Sequence, residues 1–145
     1  MKNPVATALV ILCLWPALAV ADPETDRAIT ATALDYAEGW FTADGERMQR
    51  ALHPEFIKRR VLTDVASGDQ VVQEMDAQTM VRATMQGLGR GAWSGPLDFR
   101  VTILDRYEGM ADVRVVSPLY VDYLHVVKWG ERWVILSAMW GPFGG

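Results

Sequence analysis

The sequence predicts an α+β domain in which helices come first and an antiparallel sheet follows. In the first half, apolar residues recur at intervals of three and four, the period of a helix buried on one face. From residue 97 onward, apolar and polar residues alternate, the period of a half-buried strand. Helices followed by an antiparallel meander favour a fold with the helices on one face of the sheet.

Three helices are predicted in the first half. Asp22 can cap the first, whose apolar face covers residues 29–41, and Asp44 can cap the second. The second helix should end at His53, because the residue before Pro54 is pushed out of the α region.

The middle of the chain predicts a short strand over residues 56–62 and a loop or hairpin over residues 63–74. Asp76 can cap the third helix. The glycines and proline of residues 87–96 then predict a flexible connector.

Four strands complete the predicted meander, over residues 97–103, 111–115, 120–129 and 132–140. Gly130 at the first position of a two-residue turn favours a type II′ hairpin between the last two strands.

The first 21 residues have the pattern of a secretory signal peptide. Lys2 supplies the positive start, residues 5–20 carry no charge, and small residues precede a cleavage point after Ala21. A membrane span would need roughly 20 apolar residues, whereas this run is shorter and is interrupted by Pro16. We therefore expect an exported chain, periplasmic or secreted, with one domain over residues 22–145 and no membrane anchor after cleavage.

The composition of the mature domain narrows its chemistry. Cleavage would remove Cys13, the only cysteine, so neither a disulfide nor a thiol nucleophile is expected. It would leave 124 of the 145 residues, with 13 Lys and Arg against 18 Asp and Glu, a net charge of −5. No basic run stands out, so nucleic acid is not an expected partner. We expect no cofactor either.

Two groups of residues carry a family resemblance. The first comprises YAEGW at residues 36–40, DG at 44–45, ALHPEF at 51–56 and KR at 58–59; the second comprises YVDYLH at 120–125, Lys128, RW at 132–133 and a closing Trp140. In this order they resemble the putative lumazine-binding family of the nuclear-transport-factor-2-like (NTF2-like, or SnoaL-like) superfamily. The resemblance implies a cone-shaped fold, in which a curved antiparallel sheet wraps over three N-terminal helices and a pocket opens between them.

The resemblance does not imply one activity, because the superfamily includes isomerases, dehydratases and binding modules. Ketosteroid-isomerase-like members carry a helix tyrosine followed eight residues later by an aspartate, the spacing of Tyr36 and Asp44. Their carboxylate base would fall at residues 58–60, where this chain has three cations that cannot remove a proton. Tyr36 is therefore interpreted as a core aromatic residue whose hydroxyl is satisfied at the pocket floor.

The predicted hairpin also decides which polar residues can meet. It would pair His125 with Leu136 and place Tyr123 on the same face as His125, with Asp122 on the opposite face. A metal site or a His–Asp dyad is therefore not expected. His125 and Tyr123, joined by His53, could bind or protonate a carbonyl group, or His125 could be a structural histidine bonded to the backbone.

The basic residues of the first strand allow two interpretations. Lys58 and Arg60 share a face and could receive an anionic ligand at the pocket mouth. Alternatively, they belong to a solvated edge strand that positive charge protects from further pairing. The candidate ligand-binding residues are Tyr36, Trp40, His53, Lys58, Asp122, Tyr123 and His125.

The predicted function is the binding of a small apolar or anionic molecule in the pocket. One alternative is an isomerase- or dehydratase-like enzyme that uses Tyr36 and a pocket histidine or aspartate. Another is an interaction module, because both faces of the final hairpin are apolar and only one needs to cover the helices. A homodimer through the other face would then be anchored by Trp129, Trp133 and Trp140.

Overall fold

The computed structural model describes residues 22–144. The predicted signal peptide, residues 1–21, lies outside the described residues. Four helices are present: α1 (Pro23–Thr42), α2 (Gly45–Ala51), α3 (Ala77–Met85) and α4 (Leu88–Ala92). Six strands accompany them: β1 (Leu52–Thr63), β2 (Gln70–Asp76), β3 (Arg100–Tyr107), β4 (Met110–Val116), β5 (Tyr120–Trp129) and β6 (Arg132–Pro142). The predicted α+β class is confirmed.

The starts of the three predicted helices are confirmed by their caps. The side chains of Asp22, Asp44 and Asp76 each accept a hydrogen bond from a backbone N–H in the first turn of α1, α2 and α3. Helix α2 ends at Ala51, two residues before the histidine that precedes Pro54, and the chain continues directly as a strand.

The six strands form one curved sheet in the order β2-β1-β6-β5-β4-β3. Strands β1 and β2 form an antiparallel hairpin, so the hairpin alternative for residues 63–74 is the correct one. Strand β1 also pairs in parallel with β6. The first strand is therefore internal, and the interpretation of its cations as charges on an edge strand is wrong.

A bulge in β6 changes the predicted register of the last hairpin. The pairs Trp129–Arg132 and Val127–Val134 follow the two-residue turn as predicted. Beyond them, His125 pairs with Ser137 and not with Leu136, because β6 has one extra residue at this point.

Because of the bulge, the side chains in the last part of β6 lie on the opposite face of the sheet from the one predicted. Trp140 pairs with Asp122 and turns to the inner face, whereas Met139 pairs with Tyr123 and turns outward. Trp133 is also buried in the core. Of the three tryptophans predicted to anchor a dimer, only Trp129 is exposed on the outer face.

The predicted flexible connector contains a short helix, and the next strand begins at Arg100, later than predicted. Gly87 precedes α4 with a φ of 74°, a left-handed conformation that glycine adopts without strain. Gly89 lies so close to Trp40 that a β-carbon there would approach the indole ring to 2.4 Å. Helix α4 is therefore held against α1 by a contact that only glycine allows.

The hydrophobic core lies between the helices and the inner face of the sheet. Its fully buried side chains include Ile29, Met48, Phe56, Val113, Leu124 and Ile135. Within residues 22–144, no helix is long and apolar enough to span a lipid bilayer.

Candidate functional site

A polar cluster lies at the inner face of the sheet, where α1, β1 and β5 meet. The Tyr36 hydroxyl donates to Asp122 Oδ1 at 2.8 Å, and the Lys58 ammonium donates to the same oxygen at 2.8 Å. Lys58 also donates to the Tyr36 hydroxyl oxygen. Lys58 is 7% exposed and Asp122 is 4% exposed, so the ion pair is almost fully removed from water.

Burial and the neighbouring Asp122 carboxylate keep Tyr36 protonated. Burial raises the pKa of Tyr36 well above its ordinary value, and the negative charge of Asp122 raises it further. Trp140 covers the cations: its ring centroid lies 4.7 Å from Lys58 Nζ and 4.2 Å from Arg60 Cζ. The predicted shared face of Lys58 and Arg60 is thus confirmed.

The space beside this cluster is almost filled. The remaining cavity has a volume of about 10 Å³, at the lower limit of what one water molecule occupies. It is lined by Tyr36, Ala37, Trp40, Phe41, Lys58, Ser117, Tyr120 and Asp122. Among the described residues, the space beside this cluster is therefore too small for an organic ligand in this conformation.

Trp40 closes one side of this cavity from α1. Its indole Nε1 is buried and has no hydrogen-bond partner among the described residues. Since α4 packs against the ring through Gly89, the indole is held in place by the short helix that the sequence did not predict.

Tyr123 and His125 lie on the outer face of the sheet, away from the cluster. His125 Nδ1 is 2.8 Å from Ser137 Oγ, and its Nε2 is 3.5 Å from Asp112 Oδ1. His125 therefore makes side-chain contacts and not the predicted backbone bond. Asp122 points to the opposite face, as predicted. Within residues 22–144, no three His, Cys, Asp or Glu side chains are close enough to hold a metal ion.

An open groove with a volume of about 1090 Å³ lies between α2, α3 and the start of β6. We call it the α2/α3 groove. It is lined by Glu46, Gln49, Arg50, Leu52, His53, Pro54, Ala77, Gln78, Val81, Arg82, Met85, Gln86 and Arg132. Of the predicted site residues, only His53 lies here, so the structure separates it from both Tyr36 and His125.

His53 forms part of the groove wall and is 6% exposed. Its Nδ1 accepts a hydrogen bond of 3.1 Å from the backbone N–H of Glu55. Its ring packs edge-on against Trp129, with 4.5 Å between the centroids. The other ring nitrogen, Nε2, is buried without a partner among the described residues.

Most of the groove could not be found from sequence reasoning. Arg132, Arg82 and Gln78 are exposed polar residues, which usually indicate nothing more than a solvated surface. They share a site only because the parallel pairing of β1 with β6 brings the start of β6 next to α2 and α3. No spacing in the chain indicates that pairing.

Sequence comparison decides the family. A family model described as putative lumazine-binding matches residues 24–141, which is most of the chain. The chain belongs to this family. The helices packed on a curved six-stranded sheet are those of NTF2-like proteins. No curated protein matches the chain in sequence.

Solved structures show the same fold at low identity. An NTF2-like protein of unknown function from Silicibacter pomeroyi has 15% identity and a TM-score of 0.61, over 82% of this chain and 96% of that one. One from Shewanella baltica has 16% identity and a TM-score of 0.62, over 84% and 96%. A ketosteroid isomerase-like protein from Erwinia carotovora atroseptica has 11% identity and a TM-score of 0.59, over 86% and 100%.

Proposed function

We propose that this chain is an exported, non-catalytic domain that binds a small organic molecule in the α2/α3 groove. The observation that carries the proposal is the contrast between the two cavities. The groove offers about 1090 Å³, just above the usual range of about 300–1,000 Å³ for small-molecule sites and therefore large enough for one. The cavity beside the polar cluster offers about 10 Å³, which excludes an organic ligand in this conformation.

The state of the polar cluster favours binding over catalysis. A general acid must have a proton to give, whereas the Tyr36 proton is directed to Asp122 and burial raises the pKa of Tyr36. Lys58 compensates the charge of Asp122 at 2.8 Å. The isomerase- or dehydratase-like alternative would need these three groups to separate and a substrate cavity to open between them. The ketosteroid isomerase-like relative supports the fold and not this activity.

Export is part of the proposal and is supported by the sequence. The positive start, the uncharged run and the small residues before Asp22 are the features that signal peptidase recognises. The intact mass of the protein purified from its own host tests this step. The expected mass is that of residues 22–145, and the mass of the full chain would contradict it.

We also propose that two copies associate through the outer face of the sheet. Three large apolar side chains on this face are half exposed or more: Tyr123 at 50%, Trp129 at 59% and Met139 at 61%. Exposed apolar side chains grouped on one surface are typical of an interface.

The groove is tested by blocking it with one bulky side chain. Gln78 is exposed on α3 and lines the groove, so Gln78→Trp should narrow it and obstruct a ligand without disturbing the core. Gln70→Trp is the matched control, because Gln70 is exposed on β2 and lies outside the groove. The measurement is the melting temperature with lumazine, octanoate and octan-1-ol, each added separately.

We expect at least one of these compounds to raise the melting temperature of the unaltered protein and of Gln70→Trp, but not that of Gln78→Trp. Equal stabilisation of Gln78→Trp would place the ligand outside the groove. Failure of all three compounds to stabilise the unaltered protein, with no small molecule retained in native mass spectrometry, would contradict a binding function.

A further inference from the structure

His53 lines the α2/α3 groove and also a second cavity beside Trp129, and one of its ring nitrogens is a hydrogen-bond donor without an acceptor among the described residues. His53 Nδ1 accepts from the Glu55 N–H, and an acceptor nitrogen carries no proton. The neutral ring must then carry its proton on Nε2, which makes Nε2–H a donor. This donor is buried and unpaired among the described residues, in a side chain that is 94% buried. A buried donor without an acceptor destabilises the protein, so it favours any ligand that supplies one.

The charges around His53 are complementary to an anion. Three arginines line the groove, Arg50, Arg82 and Arg132, against one acidic side chain, Glu46. Asp35 neutralises Arg50 at 2.8 Å, so Arg82 and Arg132 supply most of the uncompensated positive charge. The domain has a net negative charge, which makes a positive groove a local feature and not a consequence of composition.

The rest of the lining is complementary to an apolar body. Leu52, Val81 and Met85 place aliphatic side chains in the groove, and the side chain of Met85 is 68% exposed. A flexible methionine at the rim can adapt to ligands of different shape. The groove therefore combines an aliphatic surface, a positive rim and one unpaired donor.

We propose that the α2/α3 groove recognises an amphipathic organic anion, with its carboxylate accepting from His53 Nε2–H beside Arg132 and its apolar chain lying over Leu52 and Val81. The inference rests on the proposed binding function and adds the chemical class of the ligand. Because Nε2 is covered in the structure, entry of the carboxylate must shift a neighbouring side chain. Met85 and Arg132 are exposed and can move.

The first test compares octanoate with octan-1-ol, which has the same chain and no charge. Isothermal titration calorimetry of the mature protein should give at least about tenfold tighter binding for octanoate, since a hydrogen bond to a charged acceptor contributes more than one to a neutral acceptor. Arg132→Gln should remove most of this preference. Arg132 is exposed, so this variant is expected to fold normally.

The second test separates recognition by His53 from a structural role. In His53→Asn, the amide oxygen can replace Nδ1 as the acceptor for Glu55, but the Nε2 donor is lost. In His53→Gln, the amide nitrogen can replace the Nε2 donor, but the acceptor for Glu55 is lost. We expect His53→Asn to weaken octanoate binding by about tenfold and His53→Gln to stay within about threefold of the unaltered protein.

The outcomes distinguish the inference from the function on which it rests. If octanoate and octan-1-ol bind equally, and Gln78→Trp prevents both from binding, the groove binds ligands but the anion inference is wrong. If His53→Gln loses more affinity than His53→Asn, the histidine has only a structural role in the wall and the inference is overturned. If neither compound binds at a site that Gln78→Trp blocks, the anion inference is wrong; if lumazine also fails and no small molecule is retained in native mass spectrometry, the proposed function itself is wrong.

Discussion

Lys58 is a buried cation whose two acceptors lie on different elements, Tyr36 on α1 and Asp122 on β5. Removing two charges from water costs several kcal/mol for each ion. The attraction between the ions offsets this cost only when they lie close together and their remaining hydrogen-bonding groups are satisfied. Here Asp122 Oδ1 accepts from both Tyr36 and Lys58, and the Trp140 ring covers the ammonium. The cluster thus joins α1 to both halves of the sheet.

Breaking this cluster at one residue should be costly. Lys58→Met leaves the buried Asp122 carboxylate without its cation, and we expect the free energy of unfolding to fall by about 3 kcal/mol or more. Urea unfolding followed by circular dichroism measures the change. A loss below about 1 kcal/mol would show that the ion pair is not buried as described.

The control for this prediction removes both charges. Lys58→Met combined with Asp122→Leu leaves no unpaired buried charge, although it also removes the acceptor of Tyr36. We expect the double variant to be more stable than Lys58→Met alone, with a coupling of about 1 kcal/mol or more between the two sites. Additive losses would contradict direct coupling.

At the scale of elements, Asp35 on α1 forms ion pairs with two arginines of α2. Its two carboxylate oxygens accept from Arg47 at 2.9 Å and from Arg50 at 2.8 Å. Burial raises the pKa of Asp35, but the hydrogen bonds from Arg50 and Arg47 outweigh burial and leave the pKa below its ordinary value of 3.8. The Arg50 side chain that lines the groove is therefore positioned by α1.

Asp35→Asn should destabilise the protein in a manner that depends on pH. The folded pKa is lower than the unfolded one, so the stabilisation is complete above about pH 4 and is lost as the pH falls through the folded pKa. At pH 7 we expect a loss of about 0.5–1 kcal/mol, because these ion pairs are partly exposed. Urea unfolding at pH 7 and at pH 3 should show the difference shrinking. A difference that stays constant would exclude the ionised carboxylate as its cause.

For the whole molecule, the outer face of the sheet is the surface where we expect a second copy to bind. Met139→Glu places a charge in the middle of that face at a side chain that is already 61% exposed. We expect the unaltered protein to be a dimer in light scattering after size exclusion, and Met139→Glu to be a monomer with unchanged circular dichroism. Val65→Glu, in the fully exposed loop between β1 and β2, is the matched control. A monomeric unaltered protein would contradict the dimer.

Much of the fold follows from local rules. The caps at Asp22, Asp44 and Asp76 depend on neighbouring residues and were predictable, whereas the end of α2 was predicted two residues too late. The opposite facing of Asp122 and His125 follows from the alternation of a strand. The bulge at Leu136 was not predictable, because an extra residue in β6 becomes visible only when β5 lies beside it.

The site was less predictable than the fold. The sequence predicts three of the site residues, Tyr36, Lys58 and Asp122, individually. It does not predict their hydrogen bonds to one another, because these form only when α1, β1 and β5 pack together. The α2/α3 groove was missed apart from His53, because its arginines come from three elements far apart in the chain. Only contacts between distant residues distinguish such arginines from ordinary surface charge.

The sequence by itself determined the class of fold, the family, the starts of the first three helices and the two faces of β5, since each depends on periodicity or on residues close in the chain. The tertiary structure alone decided that the first strand is internal and that Lys58 forms a buried ion pair. It also decided that the interior is filled while a groove lies open beside α2 and α3. These features depend on how side chains from elements far apart in the sequence pack and pair their charges. Periodicity and short motifs describe only neighbouring residues, so they cannot predict such contacts.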